Sequence, residues 1–433
     1  MKDQHYQVIV VGGGPAGLAA ALAARKHGLD KVLLVERAQE LGGILLQCIH
    51  NGFGLHYFGE ELTGPEYAGR FTDALEGSGI EVHCDSMVLD IVPGVQGQDH
   101  QVCVASGTYG YHVYTTDAII LAMGCRERTR FAIQIPGSRP SGVITAGLAQ
   151  HYINMEGKMI GKRIIILGSG DIGLIMARRL TLVGAKVLAC VELLPFSGGL
   201  NRNIVQCLQD YDIPLYLSHT ITNIEGGKRV QRVTVMEVDE KRQPIPGTEV
   251  YYDVDTVLLS VGLIPENELS RAAGIHIDPH TSGPMVSQNR ETSIAGIFAC
   301  GNVLHVHDLV DFVTEESEMA GEAAAQYVLG KNTKEGKKTE ICMKLQAEPT
   351  VGYTVPQEIH LQGDEKMIRV FFRVRKIWDR PCRVVFRDQE REIASFKREF
   401  MAPGEMQNVR IPVVLLQKVQ SGLLQVSVEE AEA

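Results

Sequence analysis

The sequence predicts an α/β fold: two doubly wound units of the Rossmann type, followed by a small all-β module. Three observations carry that prediction. Near the N-terminus a strand, a glycine-rich turn, a helix and a second strand ending in an acid follow one another. The same set returns 156 residues later, because the first glycines are Gly12 and Gly168 and the terminal acids Glu36 and Glu192. Beyond residue 330 the texture changes to short alternating runs broken by Pro and Gly. A length of 433 residues suits about three domains of about 150 residues each.

In the first unit, Val8 to Val11 is an apolar strand leading into Gly12, Gly13, Gly14, Pro15, Ala16 and Gly17. Leu18 to His27 is Ala-rich and helical in propensity, and Val32 to Val35 is a second strand that stops at Glu36. These are the ordered parts of a dinucleotide-binding βαβ unit. Gly12 permits the tight turn, Gly14 lets backbone approach a pyrophosphate, and Gly17 lets the helix pack closely. The helix N-terminus offers N–H groups and a positive dipole end to phosphate, and Glu36 accepts hydrogen bonds from a ribose. In the second unit, Arg163 to Leu167 is a strand and Gly168, Gly170, Asp171, Ile172 and Gly173 lie in the turn. Leu174 to Val183 is the helix, and Val187 to Val191 the strand before Glu192. Glu192 can bond the 2′-hydroxyl of NAD(H) and would repel the 2′-phosphate of NADP(H); Val191, Leu193 and Leu194 beside it supply no arginine. NAD(H) is therefore expected over NADP(H).

Three further segments frame these units. Asp117 to Cys125 reads as a strand stopping at a glycine, and Thr256 to Pro265 as a strand-to-turn element closing the second unit. Gly296 to Asn302 leads into an amphipathic stretch from Leu309 to Leu329. Residues 331–340 read as a charged linker. The alternating runs behind it (Ile368 to Ile377, Arg383 to Arg387, Leu423 to Val428) read as a β-module with its own core. A chain ending near Gly330 is then expected to keep its cofactor. From Lys331 onward 18 basic residues stand against 15 acidic ones, a mild asymmetry that fits a solvated module.

Composition excludes several function classes. Hydrophobic residues make up 45% and charged residues 22%, as in a folded globular chain. No apolar stretch reaches the roughly 18 residues of a membrane span. A net charge of −10 argues against nucleic acid as a partner. The nine cysteines include no CxxC pair, which removes the usual signatures of zinc knuckles, iron–sulfur cradles and thioredoxin-type dithiols. Their odd number suits a reducing compartment. The N-terminus runs directly into a strand and does not resemble a signal peptide, so a cytoplasmic location is expected.

The order VIVVGGGPAG, LAMG, GSGDIG and GIFACGN resembles the pyridine nucleotide–disulfide oxidoreductase superfamily over roughly residues 5–330. The resemblance implies two Rossmann-like dinucleotide-binding domains, an FAD domain built from both ends of that region with an NAD domain inserted. The implied boundaries are 1–150 and 266–330 for the FAD domain, 151–265 for the NAD(P) domain, and 331–433 for linker and β-module. It implies FAD contacts from Gly12, Gly14, Pro15, Ala16, Gly17, Glu36, Arg37, Gly42, Gly43, Ala122, Gly124, Gly301 and Asn302. For NAD it implies Gly168, Gly170, Asp171, Ile172, Gly173 and Glu192. Within the superfamily, QCIHNGFG, RPSGVITAGLAQ and GNVLHVHDLVDF look most like FAD-dependent subunits allied with cyanide synthase, opine or amino-acid oxidase and glycerol-3-phosphate dehydrogenase-like proteins. A partner dehydrogenase or small electron-transfer protein, and a homo- or hetero-oligomer, follow as expectations.

Two departures bear on chemistry. The family's Gly-Asp pair is Gly301 and Asn302 here, which removes a negative charge beside the FAD site. Disulfide reductases carry two cysteines after the glycines matching Gly42 and Gly43, whereas GGILLQCIHNG holds Cys48 alone. Cys48 is either a redox thiol beside the flavin or a small packing residue. His305 and His307 have three readings: flavin or substrate contact, a structural role, or metal ligation, for which HVHD offers too few ligands. Arg126, Glu127 and Arg128 are read as closing a domain junction or lying on the surface. Hydride exchange between nicotinamide and flavin needs little acid–base help from the protein. Three functions remain. The first is an NAD(P)H-linked flavoenzyme serving a small molecule or a partner dehydrogenase. The second is a component for electron transfer or assembly in a larger complex. The third is a single-cysteine thiol or peroxide reductase.

Overall fold

The structure is a computed structural model that describes residues 4–95, 98–330, 341–361 and 365–431. The expected linker, 331–340, lies outside the described residues. The chain forms two compact units, Met1–Cys125 with Pro265–Ala433, and Arg126–Ile264.

In the first unit the strands Glu81–His83, Val32–Val35, His5–Val11 and Gly110–Leu121 lie side by side. Gly110–Leu121 has two roles. Residues 115–121 pair in parallel with His5–Val11, and residues 110–116 pair antiparallel with His100–Ser106. Ile297–Ala299 returns from beyond the second unit to pair in parallel with residues 119–121. The first unit is thus built from both ends of the chain. The Pro15–Lys26 helix is alanine-rich because another helix lies close: a Cβ on Gly321, in the Val310–Gly330 helix, would sit 2.3 Å from the Ala20 carbonyl oxygen.

The second unit has a parallel sheet in the order Val143–Thr145, Thr256–Leu259, Arg163–Leu167, Lys186–Val191, Leu215–Tyr216. A three-stranded antiparallel sheet, His219–Gly226, Val230–Glu237 and Val250–Asp253, accompanies it. The expected boundary at 150 moves to 125/126. Val143–Thr145 pairs with Thr256–Leu259, and Ala146 and Ala149 of the following helix join the second unit's core.

The C-terminal residues form a β-sandwich with one short helix, Val413–Leu416, its sheets of five and three strands enclosing a core that includes Ile368, Val370, Phe372, Trp378 and Val426. They are not a separate body. Along Met367–Val374 the even residues enter this core, while Phe371 faces the other way and packs with Ile9, Leu121, Val303 and Leu304 of the nucleotide-binding sheet. Both phenylalanines are fully buried. An independent module would have left one face of that strand to water.

Candidate functional site

Each glycine turn is locked by the acid that ends the next strand. Glu36 accepts the Gly13 N–H at 2.5 Å and the Ala38 N–H at 2.7 Å. Glu192 accepts the Ser169 N–H at 2.8 Å, the Ser169 hydroxyl at 2.7 Å and the Leu194 N–H at 2.9 Å. Residues 13, 36 and 38 map onto 169, 192 and 194, so the sequence repeat is also a repeat of hydrogen bonds. A carboxylate has about four acceptor positions. Glu36 and Glu192 therefore each retain capacity for a ribose hydroxyl.

The glycines have separable jobs in both turns. Gly12 and Gly168 have φ of +108° and +96°, and a Cβ would sit 2.4 Å and 2.0 Å from the carbonyl oxygens of Ala122 and Ser260. At Gly17 a Cβ would overlap the Gly12 carbonyl oxygen, and at Gly173 it would strike Ser260. Gly14 differs: a Cβ there meets only the Gly43 Cα, at 3.9 Å. At Gly170 it meets only Ser260, at 3.6 Å and beyond. Gly14 and Gly170 thus border open space at helix N-termini with no side-chain cap. Such an end presents N–H groups to an anion, and this open, uncapped cradle fits the pyrophosphate of a dinucleotide.

The structure gathers most of the residues expected around FAD. Gly42 donates its N–H to the Gly13 carbonyl, and Gly43 abuts Gly14. Ala122 donates to the Val11 carbonyl, and the Gly124 carbonyl accepts the Glu266 N–H. Gly301, at φ +72°, lies against Ala16: a Cβ there would be 2.7 Å from that of Ala16. Arg37 is exposed beside Glu36. Asn302 is engaged within the chain, accepting the His307 N–H at 3.0 Å while its amide nitrogen lies 3.5 Å from the Cys125 sulfur. In the second unit Asp171 accepts the Leu200 N–H and the Asn203 side-chain amide, tying the 200–203 segment to the turn.

His305 and His307 are buried, and both direct Nε2 at the Glu316 carboxylate, at 3.1 and 2.9 Å. Arg290 Nε donates to the same carboxylate at 2.9 Å, and the Gly301 N–H donates at 3.0 Å. The geometry supports the structural reading of these histidines. The Gly301 N–H is thus taken by Glu316. Burial and the neighbouring His307 push the His305 imidazole down to about 4. Burial alone would raise the Glu316 carboxyl, but His305, His307 and Arg290 hold it well below the usual range.

Cys48 follows the short Gly43–Gln47 helix and lies 3.3 Å from the Ile44 carbonyl oxygen. Among the described residues no cysteine forms a disulfide. Of the residues after LAMG, Glu127 accepts the N–H groups of Gly147 and Leu148, a cap for the Ala146–Asn154 helix rather than a surface role. Glu316 and Arg290 were not anticipated. Glu316 stands three residues after Val313 and four before Ala320, so helical spacing put it on a buried face, and that was the available signal.

The model of the pyridine nucleotide-disulphide oxidoreductase family matches residues 6–327. One of the subunits of opine oxidase from Agrobacterium tumefaciens (strain Ach5) is 25% identical over 316 residues, 69% of this chain and 61% of that protein. NADH oxidase of Methanocaldococcus jannaschii is 27% identical over 346 residues, 75% of this chain and 69% of that protein. The chain thus spans about six-tenths of the opine oxidase polypeptide and somewhat more of the NADH oxidase. The thioredoxin reductase of T. acidophilum superposes with a TM-score of 0.60 at 22% identity, covering 75% of this chain and 98% of that one, which matches the two-domain Rossmann architecture. With a family match across both glycine turns and the returning strand, this chain belongs to the pyridine nucleotide–disulphide oxidoreductase family of FAD-dependent oxidoreductases.

Proposed function

We propose that this protein is an FAD-dependent NAD(P)H oxidoreductase that holds FAD on the first glycine turn and prefers NAD(H) on the second. The observation that carries the reading is the repeated acid-locked turn, in which Glu36 and Glu192 fix two open cradles of the same geometry. Bound FAD supplies the hydride-accepting and electron-releasing chemistry. The chain's own residues bind and orient: backbone N–H groups at the two helix ends take phosphates, and the two acids take ribose hydroxyls. At Glu192 a 2′-phosphate would meet a buried carboxylate, and its neighbours Val191, Leu193 and Leu194 supply no arginine to offset the repulsion.

The electrons go to a small molecule or to a partner protein. Similarity to one of the subunits of opine oxidase supports the second destination, as part of a hetero-oligomeric dehydrogenase. A cytoplasmic location fits both. Among the described residues no helix is long and apolar enough to cross a membrane. The thiol-reductase alternative has less support, because Cys48 has no second cysteine within the local motif. The test is stopped-flow bleaching of the purified yellow protein with each nicotinamide. We expect rapid reduction by NADH and a rate at least about tenfold lower with NADPH, the scale of one unfavourable charge contact. Equal efficiency with both would overturn the NAD(H) preference, and a colourless protein that takes up no FAD would overturn the whole reading.

A further inference from the structure

We propose that Glu316 is a positioning residue for the FAD cradle, fixing the Gly301–Val303 turn against the first glycine loop and tying that turn to the C-terminal sandwich. The inference rests on FAD occupying the first turn, as proposed above.

Glu316 sits on the Val310–Gly330 helix and is fully buried. Its carboxylate receives four donors from outside its own helix. Arg290 Nε and His305 Nε2 reach Oε1, and the Gly301 N–H and His307 Nε2 reach Oε2. Four donors saturate a carboxylate. The nitrogen and oxygen atoms of His305, His307 and Glu316 lie within 4.8 Å of one another, as in a metal site. No acceptor position remains for an ion, however, and the Arg290 guanidinium already supplies the positive charge.

Burying such a cluster is costly. Arg290 Nη2 and the Nδ1 atoms of both histidines are buried without a hydrogen-bond partner. What the arrangement provides is placement. The backbone group that Glu316 itself holds is the Gly301 N–H, and the Gly301 Cα lies against Ala16, at the start of the helix behind the first glycine turn. A shift of this turn is transmitted to the phosphate loop because no space separates them.

Two aromatic side chains of the C-terminal sandwich, Phe371 and Tyr353, pack against the cluster. The Phe371 ring lies 5.5 Å from the His305 ring and 5.8 Å from the His307 ring, and the Arg290 guanidinium is 5.8 Å from its centroid. Its neighbours two residues away clamp the same segment, Arg369 to Glu315 and Arg373 to Asp308. Residues 369, 371 and 373 share one face of a strand, so the C-terminal sandwich presses as a single surface on the segment that follows Gly301.

The test uses the full chain carrying Glu316→Gln, with two readouts. Amide exchange across residues 297–307 reports whether Glu316 holds the turn. The FAD dissociation constant and the visible spectrum of bound flavin report whether that turn shapes the cradle. We expect at least about tenfold faster exchange of that segment and about tenfold weaker FAD binding, the scale of a lost charge-assisted hydrogen bond. A folded variant with wild-type exchange, or with unchanged FAD affinity and spectrum, would overturn the proposal. If Glu316→Gln does not fold, Glu316→Asp keeps the charge but is one methylene too short to reach all four donors, and the same outcomes decide. A wild-type protein that never binds FAD would overturn the flavin reading, whereas the exchange data would still report on the turn.

Discussion

Gly14 is the position where cofactor binding separates most cleanly from folding. Its φ of −76° and ψ of −174° are extended backbone that a branched residue adopts without strain. A side chain there would project into the cradle, where only the Gly43 Cα stands within 4 Å. Gly14→Val should therefore fold with a melting temperature within a few degrees of the FAD-free wild type and purify colourless; a yellow, fully loaded variant would remove the FAD assignment from this turn. Cys48 calls for the opposite expectation. Its thiol contacts the Ile44 carbonyl, a contact that a serine hydroxyl reproduces, so Cys48→Ser should cost no more than about 1 kcal/mol. Flavin reduction by NADH should be unchanged, and the wild type should show negligible disulfide or peroxide turnover. Robust turnover lost in Cys48→Ser would make this a thiol enzyme.

At the scale of the element, the Val310–Gly330 helix organises the first unit through its acids. Asp311 accepts the N–H groups of Gly54 and His56, Glu315 pairs with Arg369, and Glu318 accepts from Tyr57. Glu316 and the surrounding cluster make stability depend on pH. An unfolded imidazole titrates near 6.5, whereas His305 in the fold is pushed down to about 4 by burial and by His307, with Glu316, Arg290 and Tyr353 also against it. Between those values the unfolded chain takes up a proton that the folded chain refuses, so stability falls as pH drops through that window. The depressed Glu316 adds a loss of the same sign below about 4.5. The melting temperature should decline from pH 6.5 to 4, and His305→Asn should flatten that slope; a flat wild-type profile would contradict it. Sequence spacing made the helix legible as an amphipathic stretch, but not what its acids bind. Their partners lie far away in the chain, in segments that no local period connects. The antiparallel strands between 219 and 253 were equally hard to see, since register shifts at Ile221/Asn223 and Glu225/Gly226 and the consecutive buried residues Val233, Thr234 and Val235 break their period of two. The βαβ units were legible because glycine, helix and acid are specified within about 25 neighbouring residues.

Across the whole molecule, the strongest departure from the sequence reading is the place of the C-terminal sandwich. Alternation along residues 367–374 predicts a strand with one buried face, and period-two patterning carries no information about what covers the other face. Here the Phe371–Phe372 pair buries both. Phe371, Val355 and Met406 complete a core whose other members include Ile9, Val11, Leu33 and Leu121. Polar contacts reinforce it: Gln357 bonds the Val286 N–H and Asp278, and Asp308 accepts from Arg373 and the Met406 N–H. A chain ending at Gly330 would expose that apolar surface, uncover the buried Arg290–Glu316 cluster and leave Asp278 and Asp308 without these partners. Losing three large buried side chains from one core removes roughly 5–9 kcal/mol at about 1.5–3 kcal/mol each. That is comparable to the entire stability of many domains. The truncated chain is therefore expected to be insoluble, or to melt at least about 10 °C below the full chain with FAD lost on dilution. Differential scanning fluorimetry and the flavin spectrum of the two chains decide it. A soluble 1–330 chain with wild-type melting and a full complement of FAD would restore the sandwich to the status of an appendage.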